Sequence, residues 1–171
     1  AYLKCYCPAE FMAALMTSVL DQSNKIARYT AECKRLGIRL APADINTSMQ
    51  GFTANKKIIN YGLLGIKNVG KEFVDDIVDE RKNGEFKDLP DFCMRLQGKH
   101  FNRRAVESLI RCGAMDCFDL NRRQMLQALP SIATNIENYR QRTQYGQVGF
   151  FELGGNDSPL EFDVPNVDEF P

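Results

Sequence analysis

Two short stretches of this sequence carry groups suited to holding an anion. In the first, Lys67-Asn68-Val69-Gly70-Lys71, two lysines flank residues that can turn sharply. Gly65 and Gly70 lack a Cβ and can take positive φ, so a tight turn is expected at Asn68-Val69-Gly70. From Lys71 onward the apolar positions Phe73, Val74, Ile77 and Val78 recur at helical spacing. A turn that opens a helix leaves the helix's first N–H groups without intrahelical acceptors. Together with the positive end of the helix dipole, they suit a phosphate. Lys67 and Lys71 add charge, and Val69 is expected to pack inward and hold the turn.

The second stretch repeats the first. Placing residues 101–110 under residues 69–78 keeps every apolar position in register and puts Asn102, which tolerates the left-handed region, where Gly70 sits. Lys99, Arg103 and Arg104 supply its charge. Two such turns related by pseudo-twofold symmetry can hold both strands of a duplex across a groove, touching phosphates and leaving the bases unread. Each reads as a short helix, a tight turn and a longer helix, a helix-hairpin-helix. The alternative is a protein-interaction module built on paired helical hairpins without DNA binding, its basic stretch a solvated face. A base-flipping enzyme would need an aromatic-lined pocket with a placed Asp or Lys, and the chain has no Trp.

A third stretch asks for a partner of another kind. In Gln147-Val148-Gly149-Phe150-Phe151, two adjacent phenylalanines open a segment rich in Gly, Asp and Pro, with no helix or sheet pattern to shelter them. An extended peptide of this form can seat its glutamine amide in a polar notch and its rings in an apolar pocket.

The elements that must position these residues are mainly helical. Pro8 suits the first turn of a helix running to about Leu20 with the stripe Phe11, Met12, Leu15, Val19 and Leu20. Asp21 or Ser23 is expected to cap a second helix with the stripe Ile26, Tyr29, Cys33 and Leu36, closed by Gly37. Residues 42–48 read as a connector lying across the surface. Phe52-Thr53 and Ile58-Ile59 bracket a polar segment and predict a small β-hairpin leading into the first turn. Asn83-Gly84 ends the first long helix. Asp88 and Pro90 start a short one bearing Leu89, Phe92, Cys93 and Leu96. Gly98 to Asn102 makes the second turn, and Gly113 closes the second long helix. Asn121 is expected to cap a last helix with Met125, Leu129, Ile132, Ile136 and Tyr139 on one face, Pro130 kinking or restarting it and Gly146 stopping it.

Charge is unevenly spread although the formal net charge is zero. Between Arg95 and Arg123 seven Arg/Lys face three acids, whereas from Phe150 to the end there are six acids and no base. The total therefore averages a basic body and an acidic tail. With 171 residues and 44% hydrophobic content, the chain can bury a substantial core. It has no run of 18 apolar residues and no signal-type segment, which argues against membrane spanning and secretion. The six cysteines lack metal or disulfide spacing and are expected to be reduced thiols, mostly small apolar fillers. The chain lacks an initiator Met and begins and ends inside continuing patterns, as a fragment would.

Several stretches in order carry a resemblance. Ala1-Tyr2-Leu3-Lys4, Pro8 through Leu15, Cys33 through Ile38, Pro42 through Asn46, Gly62 through Gly70, Asn102-Arg103-Arg104 through Gly113-Ala114, and Gly146-Gln147 together resemble the bacterial DNA polymerase III alpha subunit, the replicative C-family polymerase. The resemblance covers nearly the whole chain. It implies outer fingers helices and a connector over 1–48, a tandem helix-hairpin-helix domain binding duplex DNA over 49–118, an amphipathic helix over 119–146, and a clamp-binding motif with an acidic flexible linker over 147–171. The DNA-binding residues it implies are Lys67, Asn68, Val69, Gly70, Lys71, Lys99, Asn102, Arg103 and Arg104, and the clamp-binding ones are Gln147, Phe150 and Phe151. Asn68 stands where the family often has glycine, and Phe150 where its clamp motif usually has Leu or Met. The family's catalytic aspartates, which hold magnesium, have no counterpart here. A fragment of this DNA-directed DNA polymerase, a nucleotidyltransferase, should thus be inactive alone and hold no cofactor of its own. Expected partners are double-stranded DNA, the sliding clamp (beta subunit) and other replicase subunits, in the bacterial cytoplasm at the nucleoid.

Overall fold

Local chain chemistry explains most of the elements. Pro8 stands at the first position of a helix where a missing N–H costs nothing. Asp88 caps another by accepting from the Asp91 N–H at 2.7 Å. Gly37 and Gly113 take φ of +69° and +83° just past two helix ends. There the Ile38 and Ala114 N–H groups reach back to the Cys33 and Leu109 carbonyls at 2.9 and 3.0 Å, the paired closure that a left-handed residue permits.

The computed structural model describes residues 2–20, 22–144 and 167–170. In order it has α1 Tyr2–Tyr6, α2 Pro8–Thr17, α3 Ser23–Arg35, β1 Arg39–Ala41, β2 Thr53–Asn55, β3 Ile58–Asn60, a 3-10 turn Leu63–Gly65, α4 Lys71–Glu80 with a 3-10 turn Arg81–Asn83, α5 Leu89–Leu96, α6 Arg103–Arg111 and α7 Arg122–Gln144. The fold is mainly α with one small sheet, as expected. Asp21, Gly146 and most of the acidic tail lie outside the described residues.

Two cores form. One gathers Leu63, Ile66, Val69, Phe73 and Ile77 with the apolar faces of α5, α6 and α7, and the other gathers α2, α3 and the sheet around Met12, Met16, Cys33 and Ile59. Tyr61 packs against both, its ring meeting Phe52 edge-on at 4.7 Å.

Several expectations are corrected. The predicted hairpin β2–β3 is present, turning at Lys56 with φ +56°, but β1 pairs in parallel with β3 and makes a third strand, in the order β1-β3-β2. Three residues are too short to show a periodic signal. The connector at 42–48 does not lie across the surface: Ile45 and Ser48 are buried, the Ile45 N–H donates to the Ala114 carbonyl at 2.8 Å, and the Arg81 guanidinium donates to the Ile45 and Ser48 carbonyls. The buried face of α2 is Ala9, Met12, Ala13 and Met16, with Phe11 and Leu15 half-buried. Ser23 is the first residue of α3 rather than its cap, which is Gln22 with no side-chain hydrogen bond. The helix α7 runs through Pro130. Of the cysteines, Cys33 and Cys93 are buried fillers, but Cys5, Cys7, Cys112 and Cys117 are exposed.

Candidate nucleic-acid interface

The first turn is built on Asn68, not on its glycines. Asn68 takes φ +66°, while Gly70 is extended at φ −80°, ψ 155° and serves as N-cap of α4. The lead-in Leu63–Gly65 is a 3-10 turn rather than an α-helix. Asn68 is held across the hairpins: its Nδ2 donates to Ser108 Oγ at 3.3 Å, and that hydroxyl donates to the Arg104 carbonyl at 2.9 Å. Val69 is buried, as expected from its place in the turn. The first intrahelical bond of α4 runs from the Val74 N–H to the Gly70 carbonyl at 3.1 Å. Gly70 has no side chain to accept from the N–H groups of Lys71, Glu72 and Phe73, so these point outward without a cap.

The second turn reaches the same end differently. Its left-handed residue is Gly98 at φ +85°, two positions earlier than Asn68 in the aligned repeat. Asn102 is extended at φ −131°, ψ 116°, so it needs no left-handed tolerance; it caps α6 by accepting from the Arg104 N–H at 2.9 Å. Gly70 and Asn102 are therefore equivalent as N-caps, but only Asn102 covers one of its helix's open amides. Phe101 is half-buried edge-on against Phe73, with centroids 6.1 Å apart.

The two helix starts line one open groove of about 760 Å³, formed by Asn68, Gly70, Lys71, Lys99, Asn102 and Arg103 together with His100 and Glu72. Lys67 lies on the neighbouring face, in a second pocket of about 650 Å³ that it shares with Arg111 and Ser108. Arg104 is exposed on the first turn of α6. The clamp-type residues Gln147, Phe150 and Phe151 lie outside the described residues.

The cations of the site differ in how free they are. Among the described residues Lys67 and Arg104 have no ion-pair partner. Lys71 pairs with Asp75 at 3.0 Å and Arg103 with Glu107 at 3.2 Å, both exposed one-turn pairs of little strength. Lys99 is more firmly engaged, because its ammonium sits on Glu80, whose side chain is only 17% exposed. The hydrogen bond from Lys99, then that from Asn83, holds the Glu80 carboxyl down at about 2. The acids in the groove were not singled out in the sequence. Asp76 Oδ2 accepts from the His100 N–H at 3.0 Å and lies 2.9 Å from its Nδ1, while Glu72 stands 3.6 Å from Nε2. Burial pushes the Asp76 carboxyl up, and the His100 hydrogen bonds outweigh it, so the net shift is downward. No periodicity marks such a pairing, since it joins α4 to a turn 24 residues later.

A 3-10 lead and a short α-helical lead, each followed by a turn and a longer helix and all packed on one core, define a helix-hairpin-helix protein. Residues 37–125 match the family model described as "Helix-hairpin-helix motif", and the chain belongs to that family. Along its length it is similar to part of the DNA polymerase III subunit alpha. It is 42% identical to that of Campylobacter jejuni over 137 residues, covering 78% of this chain and 11% of the relative. It is 43% identical to that of Bacillus subtilis over 129 residues (75% and 12%) and 36% identical to that of Vibrio cholerae over 174 (99% and 15%). The resemblance carried by the sequence motifs is to the same subunit. The chain spans 11% to 15% of the length of these relatives.

Proposed function

We propose that this chain is the segment of a bacterial DNA polymerase III alpha subunit that grips double-stranded DNA without reading its sequence and tethers the enzyme to the sliding clamp. The observation that carries the reading is that the starts of α4 and α6, each with open or partly open amides, line one groove with cations around it. In this reading the N–H groups of Lys71 to Phe73 donate to a phosphate of one strand and that of Arg103 to a phosphate of the other, with Lys67, Lys71, Arg103 and Arg104 neutralising charge. Lys99 acts mainly through Glu80. Residues 1–48 belong to the outer fingers, 49–118 to the duplex-binding domain, 119–146 to an amphipathic support and 147–171 to the clamp motif and linker. The magnesium-dependent nucleotidyl transfer belongs to other parts of the subunit, so this piece alone does not polymerise. Two weak attachments to one clamp–DNA assembly raise residence by on the order of a hundredfold through effective concentration.

Binding to a random-sequence duplex across a salt series tests the grip. Four neutralised phosphates give a log–log slope of about −3.6, and Lys67→Ala with Arg104→Ala should bring it to about −1.8. An unchanged slope refutes the site. No binding even at low salt favours a protein-interaction module. Phe150→Ala with Phe151→Ala should abolish clamp pull-down and leave duplex binding unchanged; retained clamp binding would mean that the tether lies elsewhere.

A further inference from the structure

The start of α7 has more donors than its own stretch of chain can satisfy. Asn121 makes a reciprocal cap, its Oδ1 accepting from the Gln124 N–H at 2.8 Å and its own N–H donating to Gln124 Oε1 at 3.1 Å. The N–H groups of Arg122 and Arg123 still lack a local acceptor. It arrives from far along the chain, where Glu169 Oε2 accepts from the Arg122 N–H at 3.0 Å. The Arg123 amide bears on the same carboxyl, which the amides of Phe170, Arg122 and Arg123 hold below its usual range.

The carboxylate does not come alone. Asn121 Nδ2 donates to the Val167 carbonyl at 2.9 Å, so both ends of this one side-chain amide are committed, one to its own helix and one to the incoming strand. The Phe170 ring lies beneath the Arg123 guanidinium, 5.9 Å from its centroid. The Arg122 guanidinium is held by both oxygens of Asp116, so the carboxylate is met by backbone amides rather than by that side chain. A helix cap needs only an acceptor oxygen. Here a backbone carbonyl, a carboxylate and an aromatic ring engage three different groups within Asn121–Arg123, and Glu169 and Phe170 themselves form one wall of an open pocket of about 540 Å³ whose other walls include Arg111, Asp116 and Leu120.

We propose that the start of α7, Asn121 to Arg123, is a docking site for a short peptide bearing a carboxylate followed by an aromatic ring, filled in cis by Val167–Phe170. The site stands whether or not the groove binds DNA. It attaches Val167–Phe170 to the hairpin body at the start of α7. Attachment in cis supplies an effective concentration on the order of 1 mM, so a peptide with a free Kd of roughly 0.1 mM keeps the site about nine-tenths filled. Docking at that strength is exchangeable, and a partner presenting the same chemistry can displace it.

Backbone amide spectra of the full chain test this. In the Glu169→Ala, Phe170→Ala variant the Arg122 and Arg123 signals should move while those of the buried face of α7 stay. A free peptide of residues 166–171, added to that variant, should move them back with a Kd of roughly 0.1 mM and should leave the wild-type chain nearly unmoved. Glu169→Gln, which keeps the shape, should abolish the acid titration of the Arg122 amide. The proposal is overturned if the variant's Arg122 and Arg123 signals coincide with wild type. It is also overturned if the free peptide has no effect on the variant, or if inorganic phosphate restores the signals and the peptide does not.

Discussion

Gly62→Ala probes the crossing that places the first turn. Gly62 sits at φ −78°, ψ 137°, a conformation open to any residue, so backbone strain is not at issue. A Cβ there would lie 2.8 Å from both the Gln50 carbonyl oxygen and the Gly51 Cα, and closer still to the Gly51 carbonyl carbon. These are backbone atoms, and the Leu63 and Leu64 N–H groups bind the neighbouring Met49 and Gln50 carbonyls at 2.9 and 3.0 Å, so neither strand can yield without losing hydrogen bonds. Overpacking of this kind costs about 3 kcal/mol. In a chain of this size that lowers Tm by roughly 6–12 °C. Gly37→Ala is the control, with φ +69° and open space around the added carbon, so only the left-handed penalty of about 1–2 kcal/mol applies. Thermal unfolding followed by circular dichroism compares the two. Duplex affinity should also fall in the Gly62 variant, because the shifted strand leads straight into Leu63–Gly65 and Asn68, and should hold in the Gly37 variant. Equal Tm losses would refute the close-approach argument.

The remaining predictions concern one carboxylate with its two cations and one buried side chain. Glu80 has its folded pKa lowered from 4.5 to about 2, so its stabilisation is complete above the unfolded value and is lost as pH falls toward the folded one. Glu80→Gln should therefore weaken the protein in urea at about pH 6 and match wild type near about pH 2; a constant gap at both would discount the Lys99 and Arg95 partnership. Ile45→Ala, removing a fully buried side chain from the connector, should cost about 2–4 kcal/mol by chemical denaturation. A loss below about 1 kcal/mol would return the connector to the surface.

Features set by a few neighbouring residues were legible in the sequence. Asp88 with Pro90, Asn121 as a cap, and the glycines after α3 and α6 work through bonds spanning three to five positions, so they read directly off the chain. The apolar stripes of α4, α5 and α6 did likewise, because one face of each helix must be buried wherever the helix docks. In the candidate site the repeat exposed the equivalence of Gly70 and Asn102, and composition exposed the cations. Left-handed geometry was misassigned to Gly70 because glycine permits it, whereas packing decides which residue adopts it; the tie between Asn68 and Ser108 explains why Asn68 does.

The sequence by itself thus determined where α5 and α7 begin, where α3 and α6 end, and which faces of α4, α5 and α6 turn inward, since those choices depend on local sterics and spacing. Only the tertiary structure decided that β1 joins β3, that Ile45 plunges into the hairpin core, that Glu80 takes Lys99, and that Val167–Phe170 returns to the start of α7. Each of these joins residues 19 to 69 positions apart, where chain connectivity imposes no preference and the outcome rests on which buried donors and apolar faces remain unsatisfied once the helices have packed.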